Sequence, residues 1–346
     1  MKKQLLYGAA VAMILAACSN NETEGPDNTV QPRNAVPIHI GQNVEGMTAR
    51  AVVENGSSVT ATVLTATYSS DYAATAWNNF TPLYADELNS PDNTLTTPAN
   101  VSTATFTAGA NQTVNLNPVL YYYPSDGTAV TAIAPAGTVS GNNVVMQMQD
   151  GEQDVMVATV QTVDSKPDTQ EAADNNPVTL TFAHKTTQLN FAFQLSSTPS
   201  DAWKDKTISV KSITIQKASV PVSVSFPDGT VTFKAPGENL NVPGIITGNI
   251  ISTKAQKVGR PVMVNASNDI KLNVTLTVGG KDYTFSNVQV MKNGGTNEKL
   301  ATVIGDSHLV TLTVTEPVRP SDGIGITTQA TVSPWNQGQA GSGELK

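Results

Sequence analysis

The stretch VPVSVSFPDGTVTFKA, residues 220 to 235, decides the class of the fold. Val220, Val222, Val224 and Phe226 alternate with small or polar residues, and Val231 and Phe233 resume the alternation after a break. A period of two belongs to a strand with one face buried. The break itself is Pro227-Asp228-Gly229, and the Asp-Gly pair suits a two-residue type I′ hairpin turn. Two strands joined by such a turn are antiparallel.

The same pattern recurs along the chain. Gly279-Gly280 separates alternating runs at 270–278 and 281–290 in the manner of a second tight hairpin. Further strands are expected at 58–68, 118–124, 129–135, 143–149 and 154–160, then at 177–195, 207–217 and 308–316. Many short strands with regular turn signals imply a sandwich or barrel. No long Ala/Leu/Glu/Lys segment with a 3.6-residue period competes with that reading. The 346 residues are enough for two β domains, each with its own core. The polar segment 162–177 lacks periodicity and reads as a boundary or long surface loop.

Charge excludes some functions. Only 14% of residues are charged, and the net charge is −8. Such a chain, with no basic run, is unsuited to nucleic acid or to an anionic membrane surface.

The N-terminus reads as an export signal. Lys2 and Lys3 precede LLYGAAVAMILAA, an apolar run too short to span a bilayer but suited to a signal peptide. It ends at Cys18, the one cysteine of the chain, so no intrachain disulfide can form. Small residues directly before that cysteine resemble a bacterial lipobox. The resemblance implies cleavage before Cys18, acylation there and attachment to the outer membrane. Residues 19–34 form a polar tether.

Two alternating segments stand at the two ends of the chain beyond that tether. In VPIHIGQNV, Val36, Ile38, Ile40 and Val44 share a face; in GIGITTQATVSPW, residues 323–335, Ile324, Ile326, Thr328, Ala330 and Val332 do. Arg50 lies just past the first of them. No Lys or Arg occurs between Ala51 and Ser165, which leaves Arg50 isolated.

Little in the chain points to catalysis. His39, His184 and His308 are far apart and read as strand residues. No phosphate loop, nucleophile elbow or cysteine-type metal site occurs, so no enzyme activity, metal or cofactor is expected. The DGEQD run at 150–154 gathers three carboxylates without calcium-loop spacing and reads as a solvated turn. In LYYYP, Tyr122 is expected to face opposite to Tyr121 and Tyr123, which favours packing over a sugar platform.

Three motifs in order resemble the fimbrillin-like lipoproteins of Bacteroidota, which include type V pilus subunits. They are Tyr123-Pro124, the strand with Asp154, Met156 and Ala158, and the strand with Phe182 and His184. The lipobox, the Arg-Ala step at Arg50-Ala51 and the C-terminal segment ending near Trp335 fit the same pattern. The resemblance implies two tandem transthyretin-like Greek-key β-sandwich domains after a lipoprotein signal peptide. The divisions are then 1–17 for the signal, 18–50 for the tether and removable first strand, and 51–176 and 177–320 for the domains. Residues 321–346 form the C-terminal strand and flexible tail. It further implies an arginine-specific protease that cuts after Arg50 and leaves Ala51 first. A strand from another pilin subunit then fills the vacated slot, building a fimbria that supports adhesion. The second reading is a monomeric lipoprotein, anchored through Cys18, that binds a host ligand or glycan through exposed aromatics such as Trp77 or Trp203.

Overall fold

The computed structural model describes residues 36–41, 58–68, 100–107, 113–122, 127–164, 166–201, 203–226, 228–235, 237–246, 251–293, 298–317 and 323–334. Cys18, Val44, Arg50, Ala51, Trp77, Tyr123, Pro124 and Trp335 lie outside them. The first half contains β1 (Ile40–Gly41), β2 (Ser58–Tyr68), β3 (Val101–Thr107), β4 (Thr113–Val114), β5 (Leu116–Asn117) and β6 (Gly127–Ala134). It continues with β7 (Thr138–Ser140), β8 (Asn143–Val145), β9 (Met156–Ala158), β10 (Gln161–Val163), helix α1 (Gln170–Asn175), β11 (Val178–Thr179) and β12 (Phe182–His184). The second half contains β13 (Thr187–Leu195), β14 (Ile208–Ile215), β15 (Pro221–Ser225), β16 (Val231–Phe233) and β17 (Leu240–Asn241). It ends with β18 (Gln256–Val264), β19 (Lys271–Val278), β20 (Lys281–Gln289), β21 (Asp306–Thr315) and β22 (Gly325–Pro334). The fold is all-β, as the alternation predicts, with one short helix among the described residues.

In the first half, a small sheet β11-β1-β4 faces a larger sheet β12-β9-β6-β2-β3-β5, with β10 also on β6. Between them lies a core built from Val36, Ile38, Ile40, Val63, Phe106, Leu120, Tyr122, Leu180 and Phe182, among others. Phe106 and Phe182 meet edge to face, with ring centroids 5.1 Å apart. The other side of the large sheet is covered as well, which adds a third layer to the expected two. A sheet of order β16-β15-β8-β7 packs there, joining hairpins from the two halves. Val224 and Phe226 of the second half thereby share a core with Leu64, Ile133, Met146 and Val155. All eight residues of β6 are buried, as a central strand covered on both faces requires.

The second half is a sandwich of β18-β13-β21-β22 on β17-β14-β19-β20. Leu189, Phe191, Phe193, Val274, Leu276, Val310 and Leu312 form its core. β11 and β12 belong with the first core, so the chain changes cores between Phe182 and Leu189, past the expected division at 176/177.

Several local expectations change. The segment 162–177 holds the end of β10 and all of α1 rather than a bare loop. Its helix begins where the Thr169 hydroxyl accepts from the Ala172 N–H at 3.1 Å. At the 220–235 hairpin, Val224 pairs with Val231 and Gly229 takes a positive φ, so the connection is longer than a two-residue type I′ turn. The Gly229 N–H donates to the Ser225 carbonyl and the Ser225 N–H to the Thr230 carbonyl, closing a four-residue loop instead. Gly279 and Gly280 do both take positive φ, and Val278 pairs with Lys281 across the two-residue turn.

Candidate functional site

The segment from Val36 to Gly41 lies in the middle of its sheet. Ile40 and Gly41 pair antiparallel with β4 on one side and parallel with β11 on the other. The Ile38 N–H donates to the Leu120 carbonyl at 2.8 Å, and the Tyr122 N–H donates to the Val36 carbonyl at 3.0 Å. Across the opposite edge, the Val178 N–H donates to the His39 carbonyl at 2.8 Å. Val36, Ile38 and Ile40 face the core and are 5%, 3% and 0% exposed. They are three of the four residues expected on that face; Val44 lies beyond the described residues.

His39 points the other way, toward α1. Its Nδ1 is 2.9 Å from Asp174 Oδ1, and the Gln170 amide nitrogen is 3.1 Å from its Nε2. With the proton placed on Nδ1, the ring donates to Asp174 and accepts from Gln170. Helix α1, anchored by buried Ala173, is thus a latch over the outer face of the first strand.

The C-terminal strand β22 is an edge strand, paired from Gly325 to Pro334 with β21. Thr328 and Ala330 are buried, and Ile324 and Ile326 pack partly against the second core. Val332 shares their parity but is 48% exposed, so the apolar face ends before it.

The histidines divide. His184 Nδ1 lies 2.8 Å from Asp154 Oδ2 and 3.0 Å from Oδ1, with both side chains almost wholly buried. Burial pushes the Asp154 carboxyl up, against the lowering effect of its hydrogen bond and charge contact with His184. The DGEQD run is therefore not a plain solvated turn. Asp154 leaves it for the interior, and Glu152 pairs with Arg260 of the second half at 2.7 Å. The sequence places Asp154 and His184 in two separate strand segments, and the register of His184 opposite Met156 brings them together.

His308 is fully buried, and its ring nitrogens find no hydrogen-bond partner among the described residues. Burial pushes its pKa down, with a smaller opposing pull from Asp306. An unfolded histidine titrates near 6.5. Folded His308 binds a proton less readily, so the stability it permits is complete above that pH and is lost as pH falls through it. We expect His308→Leu to raise stability by about 1 kcal/mol, because it replaces an unsatisfied polar ring with an apolar side chain. The acid loss should flatten, as read by urea unfolding at neutral pH and at pH 5.

Among the described residues, the aromatic side chains that the sequence singles out are buried rather than set in an open platform. Tyr121 and Tyr122 are both buried, although the alternation places them on opposite faces; Tyr122 enters the core and Tyr121 bridges to Pro37. Trp203 is 6% exposed and packs in the second core. Among the described residues, no group of three metal-ligating side chains forms.

A family model described as fimbrillin-like matches residues 75–335. No curated protein matches the chain. A candidate cell adhesion protein from Bacteroides uniformis is similar in structure at 17% identity and a TM-score of 0.49, over 88% of this chain and 100% of that one. The tip fimbrial protein Mfa3 from Porphyromonas gingivalis is similar at 10% identity and a TM-score of 0.40, over 87% and 100%. The fimbrial anchor protein Mfa2 of the same organism gives 12% and 0.36, over 87% and 98%.

Proposed function

The chain belongs to the fimbrillin-like family, and from that membership and the central place of its first strand we propose that it is a structural subunit of a cell-surface fimbria. It is exported as a lipoprotein acylated at Cys18, cut after Arg50, and assembled when a strand of another subunit replaces the first. The observation that carries this reading is the seating of Ile40 and Gly41 between β4 and β11, with Val36 and Ile38 hydrogen-bonded to residues 120–122. Removing a central strand leaves two unpaired edges and an apolar slot, and an incoming strand satisfies both. The three buried aliphatic side chains of the slot contribute roughly 5–9 kcal/mol before ordering costs. Head-to-tail insertion of this kind does not close on itself, so it produces a filament.

The arginines support the cut. The chain has four, at 33, 50, 260 and 319, and the last two each precede a proline. A proline after the scissile residue has a fixed φ and no N–H, which suits a protease poorly. Arg33 precedes the first strand, and a cut there would free nothing. Only Arg50 combines a cleavable bond with release of the strand.

The test is N-terminal sequencing of protein recovered from the cell surface, alongside Arg50→Ala. The wild type should start at Ala51 and form an SDS-resistant ladder, and Arg50→Ala should lose the ladder entirely. Protein that starts at a lipidated Cys18 and stays monomeric after clean cutting at Arg50 would refute the reading. It would favour a permanently anchored binding protein instead.

A further inference from the structure

We propose that the slot vacated by the first strand selects a segment of the form aliphatic–x–aliphatic–x–aliphatic–glycine, and therefore rejects the C-terminal strand of a copy of this chain. This rests on the strand-exchange reading above. The three aliphatic positions are those of Val36, Ile38 and Ile40.

The glycine requirement comes from the next position. A Cβ at Gly41 would stand 3.1 Å from Cγ and 3.3 Å from Cβ of Pro177. Those atoms belong to a ring locked to the backbone, which cannot rotate out of the way as a flexible side chain would. Pro177 is held in turn, because the next residue, Val178, donates to the strand itself through its N–H. A longer side chain at this position crowds the ring, and the strand or the proline must give by a few tenths of an ångström, which weakens the pairing with β11.

The chain's own C-terminal strand does not meet these requirements. Laid in the same direction, Ile324, Ile326 and Thr328 fall on the three pockets and Gln329 falls at the glycine position. Shifted by two, the pockets receive Ile326, Thr328 and Ala330, and Thr331 meets the proline. In either register the deepest pocket, where Ile40 is fully buried, receives a hydroxyl or a lone methyl. A smaller side chain there leaves a void, and a hydroxyl arrives without a partner. The similar period of the two end segments is thus not matched by similar pockets.

The experiment uses mature protein cut by an arginine-specific protease, separated from its first strand in denaturant and refolded. Three fluorescent peptides are offered: residues 35–45, the same with Gly41→Gln, and residues 322–334. Binding is read by anisotropy. The first should bind, and the other two should bind at least about tenfold more weakly, as overpacking and pocket mismatch predict. Equal binding by the Gly41→Gln peptide or the C-terminal peptide would overturn the selection while leaving strand exchange intact. Failure of all three to bind would overturn strand exchange, and the selection with it.

Discussion

Asp154→Ala should destabilise the protein by about 3 kcal/mol, because it leaves the buried His184 ring without the carboxylate it hydrogen-bonds. The carboxylate and the His184 ring are 4% and 2% exposed, so neither partner can turn to water when the other is lost. The effect should be more than local. The Lys185 N–H donates to the Val155 carbonyl, and β9 and β12 run side by side from this point. Just upstream, Gly151 sits with a positive φ where any Cβ would meet Leu240 at 2.8 Å and Val262 at 3.0 Å, both from the second half. Its carbonyl accepts from the Met263 N–H. The pair therefore pins the segment that carries the chain against its own second half. Asp154→Asn retains an acceptor for the ring and should cost clearly less. Urea unfolding of both variants checks the order, and an Asp154→Ala loss below about 1 kcal/mol would mean that the pair holds nothing.

Phe226→Ala should cost about 3–5 kcal/mol, the usual range for emptying a buried aromatic site. Phe226 is 1% exposed and packs into a cluster that draws on both halves. Its N–H donates to the Asn142 carbonyl at 3.0 Å, and the Met146 N–H donates to the Val222 carbonyl at 2.8 Å. Ser223, Val224 and Ser225 pair in register with Val145, Val144 and Asn143. With such a junction, wild-type unfolding should be one transition by calorimetry. The variant should lower that transition and split it, because the halves then keep separate cores. A wild type that already melts in two steps would contradict this view of the junction.

Most of the strand content is legible in the sequence because alternation is a local property. The run at 58–68 forms one strand of the same length, and the first and last strands face inward at most of the positions that period two assigns. Misses have local causes as well. β18 contains Gly259 in a positive-φ conformation followed closely by Pro261, and its pairing with β13 shifts between Leu189 and Phe191. A bulged strand with a proline does not alternate cleanly. β3 buries Ser102, Ala104 and Phe106; two small residues and one large one make a faint hydrophobic signal. The latch at His39 is silent in the sequence because a six-residue helix in a polar segment has no apolar stripe beyond Ala173. Partner choice is not legible at all. Nothing in VPVSVSFPDGTVTFKA states that its hairpin leaves its own sandwich to complete a sheet in the other. Nor does the spacing of Asp154 and His184 reveal that they touch.

That shared sheet has a mechanical consequence. A chain of two independent domains would hinge at the linker, and a fibre of such subunits would bend within each one. Here bending at the midpoint must shear backbone hydrogen bonds between β8 and β15 and drag Phe226 from its site. The compliance of a filament built from these subunits should therefore reside at the joints between neighbours rather than within each subunit.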